Sequence, residues 1–126
     1  MQTPTELKYS ATHQWARLES DGTVVIGITD YAQNELGDVV FVEAPRLGDK
    51  MSAGEQICIV ESVKTASEVY APISGEIIAV NAQLDDHPEW VNDDVYGQAW
   101  FCRMSPSDPE ELKQLMDAEA YRKHTE

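Results

Sequence analysis

Apolar positions fall in short runs, several alternating with polar residues, and turn residues interrupt them at close intervals; this is the pattern of many short strands. Tyr9 to Leu18 reads as the first strand, anchored by Tyr9, Trp15 and Leu18. Asp21-Gly22 marks a hairpin turn, and Thr23-Val24-Val25-Ile26-Gly27-Ile28, rich in β-branched residues, is the returning strand. A short helix follows, capped by Asp30, with Gln33 at its third position and Gly37 closing it. Val39 to Val42, Ile57 to Val60, Val69 to Ala71, Ile77 to Val80 and Gln98 to Met104 supply further apolar runs, separated by Pro45 with Leu47-Gly48-Asp49 and by Pro72 to Gly75. Residues 85–94 form a long acidic loop. The tail predicts a helix over about 109–122. Asp108 caps it, Pro109 takes the first position, Glu111 completes a capping box, and Leu112, Leu115 and Met116 share one face, expected to pack on the sheet core in preference to a partner's groove.

Two of these runs resemble each other. Gly37-Asp38-Val39-Val40-Phe41-Val42-Glu43-Ala44 aligns without a gap on Gly75-Glu76-Ile77-Ile78-Ala79-Val80-Asn81-Ala82. Each unit continues into a turn and a second apolar run. Two such units can pack face to face as a quasi-symmetric β-sandwich, each covering the apolar side of the other.

The length, 126 residues, suits one domain over 1–126 with a core from about 7 to 104, large enough to fold without a disulfide or structural metal. A formal net charge of −14 argues against nucleic acid or an anionic membrane as partner. No apolar run approaches the roughly 20 residues needed to span a bilayer. The polar N-terminus carries no apolar signal core, so the chain is expected to stay in the cytoplasm; an organellar form would need a leader. Cys58 and Cys102 both lie in apolar runs and read as buried reduced thiols. His13, His87 and His124 are scattered without ligand spacing, so no metal is expected, and no oxyanion loop accompanies the cysteines to suggest a hydrolase.

One charge stands apart. Val60 and Val69 bracket the polar stretch Glu61-Ser62-Val63-Lys64-Thr65-Ala66-Ser67-Glu68, which places Lys64 near the tip of an exposed hairpin at the junction of the two units. Lys64 is the only Lys or Arg between Lys50 and Arg103, and small residues flank it. An amine presented in this way suits enzymatic acylation, which would remove its charge.

At these residues the chain resembles the glycine cleavage system H-protein family. The stretch Glu61 to Glu68 is similar to that family's lipoyl-lysine motif. Val25 to Gln33, Gly37 to Glu43, Tyr70 to Glu76, and Asn92 with Tyr96, Gly97 and Trp100 carry the same likeness, which runs from about Leu7 to Tyr121. The resemblance implies a mostly β fold of the lipoyl/biotinyl type, a β-sandwich (barrel-sandwich hybrid) with a short internal helix and a C-terminal helix. It implies lipoic acid in amide linkage to Lys64, with Glu61, Ser62 and Val63 as the rest of the lipoylation motif. It implies a monomeric carrier and not an enzyme. The glycine decarboxylase (P protein, pyridoxal-phosphate dependent) would load it with an aminomethyl group, the T protein would unload that group, and the L protein would reoxidise the dithiol. A lipoyl ligase or transferase would attach the cofactor.

Carried over by position, Thr12, Gln14 and Glu68 would line a cleft sheltering the loaded arm. Gln14 stands where the family usually has Glu, so a charge-assisted bond to a cationic load becomes a neutral one, roughly half as strong, and weaker shelter is expected. Glu68 replaces the commoner Asp, and Val95 stands where Pro is common. The acidic loop is either solvated surface or a docking face for partner enzymes. Rival readings are a lipoate relay that donates lipoyl groups to other lipoyl domains, a lipoyl domain of a 2-oxoacid dehydrogenase, a biotin carrier and an unmodified interaction domain. The dehydrogenase domains usually carry Asp-Lys-Ala at the tip, and biotin carriers bracket their lysine with methionines; here the tip is Val63-Lys64-Thr65.

Overall fold

A computed structural model describes residues 1–126. Nine strands run in the order β1 (Lys8–Tyr9), β2 (Gln14–Leu18), β3 (Val24–Ile28), β4 (Val39–Glu43), β5 (Lys50–Met51), β6 (Gln56–Ser62), β7 (Ala66–Tyr70), β8 (Gly75–Val80) and β9 (Cys102–Pro106). Helix α1 (Asp30–Leu36) lies between β3 and β4, while α2 (Trp90–Asp93) and α3 (Ala118–His124) flank β9. The strands form a six-stranded sheet ordered β1-β2-β3-β9-β8-β5 and a three-stranded sheet ordered β4-β6-β7. The architecture is thus mostly β, a lipoyl-type fold of two sheets with a short internal helix and a helix at the C-terminus.

The repeat seen in the sequence has a structural counterpart. Its first copy lies in β4 and its second in β8, one in each sheet. The β4–β6 ladder shifts register between Val39 and Phe41, and the β8–β9 ladder shifts between Ile77 and Ala79, the aligned positions of the second copy. Each copy therefore carries a bulge at the same place. Between the sheets, 22 buried residues, among them Val42, Val60, Ile77 and Phe101, form the main core. Strand β3 is buried at all five positions because both its faces are covered. Val24, Ile26 and Ile28 face the main core, whereas Val25 joins Leu7, Tyr9, Trp15, Ala118 and Tyr121 in a second cluster that includes α3. Gly27 sits under the Trp15 indole, where any Cβ would come within 2.6 Å of the ring. The free thiols of Cys58 and Cys102 are buried, and that burial pushes Cys58 up and Cys102 up to about 12.

Several expectations need correction. The first strand is broken: Ser10 to His13 turns β1 back onto β2, with His13 at φ 75 and the Gln14 carbonyl accepting the Ser10 N–H. Leu18, at the end of β2, is 59% exposed and anchors nothing. The α1 cap is Thr29, whose hydroxyl accepts the Ala32 N–H; the Asp30 carboxylate instead accepts the Gln2 N–H and the Gln33 side chain. The last strand begins at Cys102 and not Gln98, because the Asn81 side chain takes the Gln98 and Trp100 carbonyls.

The tail is two helical pieces. Pro109–Gln114 is a 3-10 turn capped by Asp108, Leu115 is extended, and Met116 pairs with Tyr9 through two 2.8 Å backbone hydrogen bonds before Asp117 caps α3. The edge of the sheet at Tyr9, unpaired by any other strand, thus offers Met116 partners that a continuous helix would forgo. Glu111 makes no capping box; its carboxylate accepts the Ser74 N–H and hydroxyl. Leu112 enters the main core while Met116 packs on the second cluster, so the expected common face does not form.

Candidate functional site

Strands β6 and β7 pair antiparallel and are joined by a tight turn at Val63-Lys64. Ser62 fastens it. Its N–H donates to the Thr65 carbonyl at 2.7 Å, and its hydroxyl oxygen accepts the N–H groups of Lys64 and Thr65. A serine does this because its short hydroxyl reaches backbone groups two and three residues ahead. Lys64 is exposed and makes no ion pair. Its aliphatic stem passes over Gly37, where a Cβ would lie 3.3 Å from Cε. Gly37, at φ 77, closes α1 through its N–H to the Gln33 carbonyl.

The segment beneath the lysine is held from the other side by Asn92, on α2. Its Nδ2 donates to the Gly37 carbonyl at 2.9 Å and to the Gln33 amide oxygen, and its Oδ1 accepts the Val39 N–H at 2.8 Å. Between these anchors, the Asp38 carbonyl accepts the Val63 N–H at 2.9 Å. A chain of hydrogen bonds therefore runs from Asn92 through residues 37–39 to the hairpin tip. Residues 90–93, expected within an acidic loop, are the short helix that delivers Asn92.

A cleft of about 380 Å³ opens beside the hairpin. Its walls are β7 with the preceding Thr65, helix α1, and the turn between β1 and β2. Thr12, Gln14 and Glu68 all line it, while Lys64 precedes its hairpin wall by one residue. Gln14 is only 2% exposed. Its Oε1 accepts the hydroxyls of Ser10 and Thr12, and its Nε2 donates to the Thr12 carbonyl at 2.9 Å. The amide oxygen is thus already committed to two donors. Glu68 is exposed, and its carboxylate accepts the Tyr70 phenol.

His13, Tyr31 and Glu35 also line the cleft, and sequence reasoning gave them no place there. The His13 ring packs on Tyr31 at 4.7 Å, and its Nδ1 shares a 2.7 Å hydrogen bond with the Tyr121 phenol, which also bonds the Thr29 hydroxyl. Burial, helped by nearby His124, holds the imidazole below its ordinary value, against an opposing pull from Glu35. The only pointer in the sequence was the position of His13 between Thr12 and Gln14. No cluster of three metal-binding side chains occurs, and no helix is long and apolar enough to cross a membrane.

Comparison with known proteins gives one answer. The glycine cleavage H-protein family model matches residues 7–126. The glycine cleavage system H protein of Shewanella sp. (strain ANA-3) is 56% identical over 119 residues, 94% of this chain and 92% of that protein. The protein of the same name from Shewanella oneidensis matches to the same extent. The crystal structure of a glycine cleavage system H protein from Mycobacterium marinum superposes with a TM-score of 0.89 at 37% identity, covering 97% of this chain and 98% of that one. By sequence over nearly its whole length and by fold, this chain belongs to the glycine cleavage H-protein family.

Proposed function

We propose that this protein is the lipoyl carrier of the glycine cleavage system, with lipoic acid in amide linkage to Lys64. The observation that carries the reading is the presentation of Lys64: exposed, free of ion pairs, at the tip of a hairpin braced by Ser62 and, through residues 37–39, by Asn92. The residues fit the group. The bare backbone of Gly37 leaves room for the lysine stem, and an apolar and polar cleft opens next to the hairpin. When attached, lipoic acid supplies a dithiolane that takes up electrons together with a one-carbon amine fragment, delivered by the P protein, collected by the T protein and followed by reoxidation on the L protein.

The chain's own residues present and shelter. The hairpin presents Nζ on the surface beside Gly37, exposed to a lipoyl ligase or transferase and then to the three enzymes. Thr12 and Gln14 form a wall of the cleft whose polar atoms are already hydrogen-bonded, so it keeps its shape when empty. Glu68 places the one carboxylate of the proposed cleft set where it can meet a cation. No side chain is asked to make or break a covalent bond of the substrate, which is the sense in which the protein is a carrier and not a catalyst.

Intact-mass measurement on protein from its native source tests this. One lipoyl increment is expected, absent from Lys64→Ala, and a strain holding only Lys64→Ala should fail to degrade glycine. Unmodified native protein, or unaffected glycine breakdown, would overturn the reading.

A further inference from the structure

Seven large hydrophobic side chains are exposed, and three of them, Val40, Phe41 and Val63, gather at the Lys64 hairpin. Val63 adjoins the lysine. Through its N–H it is bonded to the Asp38 carbonyl, and Phe41 stands opposite Glu61 in the β4–β6 ladder. The bulge between Val39 and Phe41 leaves two consecutive apolar residues facing outward, Val40 at 53% and Phe41 at 46% exposure, where regular pleating would bury one of them.

The internal repeat separates geometry from choice. The second copy has the same bulge in the other sheet and also exposes its extra residue, Ile78, at 40%. At the position equivalent to Phe41, however, it has Ala79. The outward aromatic occurs only in the copy that carries the lysine hairpin. Asp38, Glu43 and Glu61 surround the patch, all exposed and none in an ion pair.

We propose that Val40, Phe41 and Val63, with their rim of unpaired carboxylates, are the docking surface for the enzyme that acylates Lys64, which presents an apolar pocket edged by basic side chains. This rests on Lys64 being the lipoylated residue. The choice of occupant follows from reach. Enzymes that use a loaded arm meet its far end, whereas an acylating enzyme must bring its own active site to Nζ. There the deprotonated amine attacks an activated lipoyl carboxyl, an acyl adenylate or acyl-carrier thioester. The ammonium has first lost one proton to solvent; as the amide bond forms, the activating group leaves with the bonding electron pair, and the second proton shed by the nitrogen passes to the leaving group or solvent. Contact with side chains beside Lys64 is unavoidable for that enzyme, and an exposed apolar core with a charged rim is the anatomy of a recognition site.

The test is steady-state acylation of the unmodified full chain by a purified lipoyl ligase, read by intact mass. Phe41→Ser is expected to raise KM for the protein substrate about tenfold with kcat within about twofold. Phe41→Leu should restore it, Ile78→Ser at the comparably exposed bulge residue of the second copy should behave as wild type, and wild-type KM should rise with salt. Matched circular dichroism and melting curves for the two serine variants exclude misfolding. If wild-type Lys64 is modified normally and Phe41→Ser keeps its KM, the surface is overturned while the lipoylation reading stands. If Lys64 is not modified at all, the functional reading itself fails. A concentration-dependent dimer of the wild type that Phe41→Ser abolishes would also overturn the proposal, by assigning the patch to a second copy of the chain.

Discussion

Replacing Gln14 by Glu changes one atom and reverses the role of a buried group. Gln14 accepts two hydroxyls on Oε1 and donates from Nε2 to the Thr12 carbonyl 2.9 Å away, in a site that is 2% exposed. In Gln14→Glu the two hydroxyl bonds become charge-assisted, a gain of about 1 kcal/mol each. Against this, the donor to Thr12 becomes an acceptor facing an acceptor, and a carboxylate is taken from water at several kcal/mol. The balance is a loss of about 1–3 kcal/mol at pH 7, and for a chain of this size each kcal/mol lowers Tm by about 3–5 °C. Burial and the opposed carbonyl raise the folded-state carboxyl above the unfolded value of about 4.3. A raised folded value means that the favourable protonated form is complete below the unfolded value and is lost as pH rises through the folded one. Once protonated, the acid donates to Thr12 as the amide did. The variant should therefore match the parent near pH 4 and fall behind it as pH rises. Melting curves of both proteins from pH 4 to 8 measure this. A deficit that does not change with pH, or no deficit at pH 7, would refute the reasoning.

His13→Asn should flatten the acid limb of the stability curve. The depressed imidazole stabilises the fold above the unfolded value of about 6.5, and that contribution is lost as pH falls through the folded value, so parent and variant should converge on acidification; asparagine tolerates the φ of 75. Parallel pH titrations of Tm for the two proteins check this, and curves that stay parallel would contradict it. Asn92→Ala removes three hydrogen bonds under the hairpin and should cost about 1–3 kcal/mol. It should also speed hydrogen exchange at the Val63 amide, which depends on the Asp38 carbonyl staying in place; unchanged exchange there would break the proposed link from Asn92 to the tip.

Most of the strands and the lysine hairpin were legible because each depends on residues close in sequence: β-branched runs, the turn at Asp21-Gly22, and a polar stretch bracketed by Val60 and Val69; the two-residue strand β5 was not, because only its distant partner β8 makes it a strand. The repeat was legible for the same reason, although the shared bulge was not, since nothing in Val39-Val40-Phe41 marks the extra residue. The break between β1 and β2 was not legible because its left-handed residue is His13, with no Gly or Pro to announce it. The two-piece tail was not legible because Leu112, Leu115 and Met116 have helical spacing, while the competing attraction, the unpaired strand edge at Tyr9, lies about a hundred residues away. Thr12, Gln14 and Glu68 came together only through family likeness. No local pattern links them, and the cleft exists only once β7, α1 and the β1–β2 turn have packed.

Sealing Cys58 and Cys102 between the sheets has a chemical consequence. With their thiols pushed far up the pH scale, almost no thiolate forms on this chain at neutral pH. The dithiolane proposed for Lys64 would therefore find no rival nucleophile at home. It would be protected from capture as a mixed disulfide with its own bearer, leaving its redox traffic to whatever docks from outside.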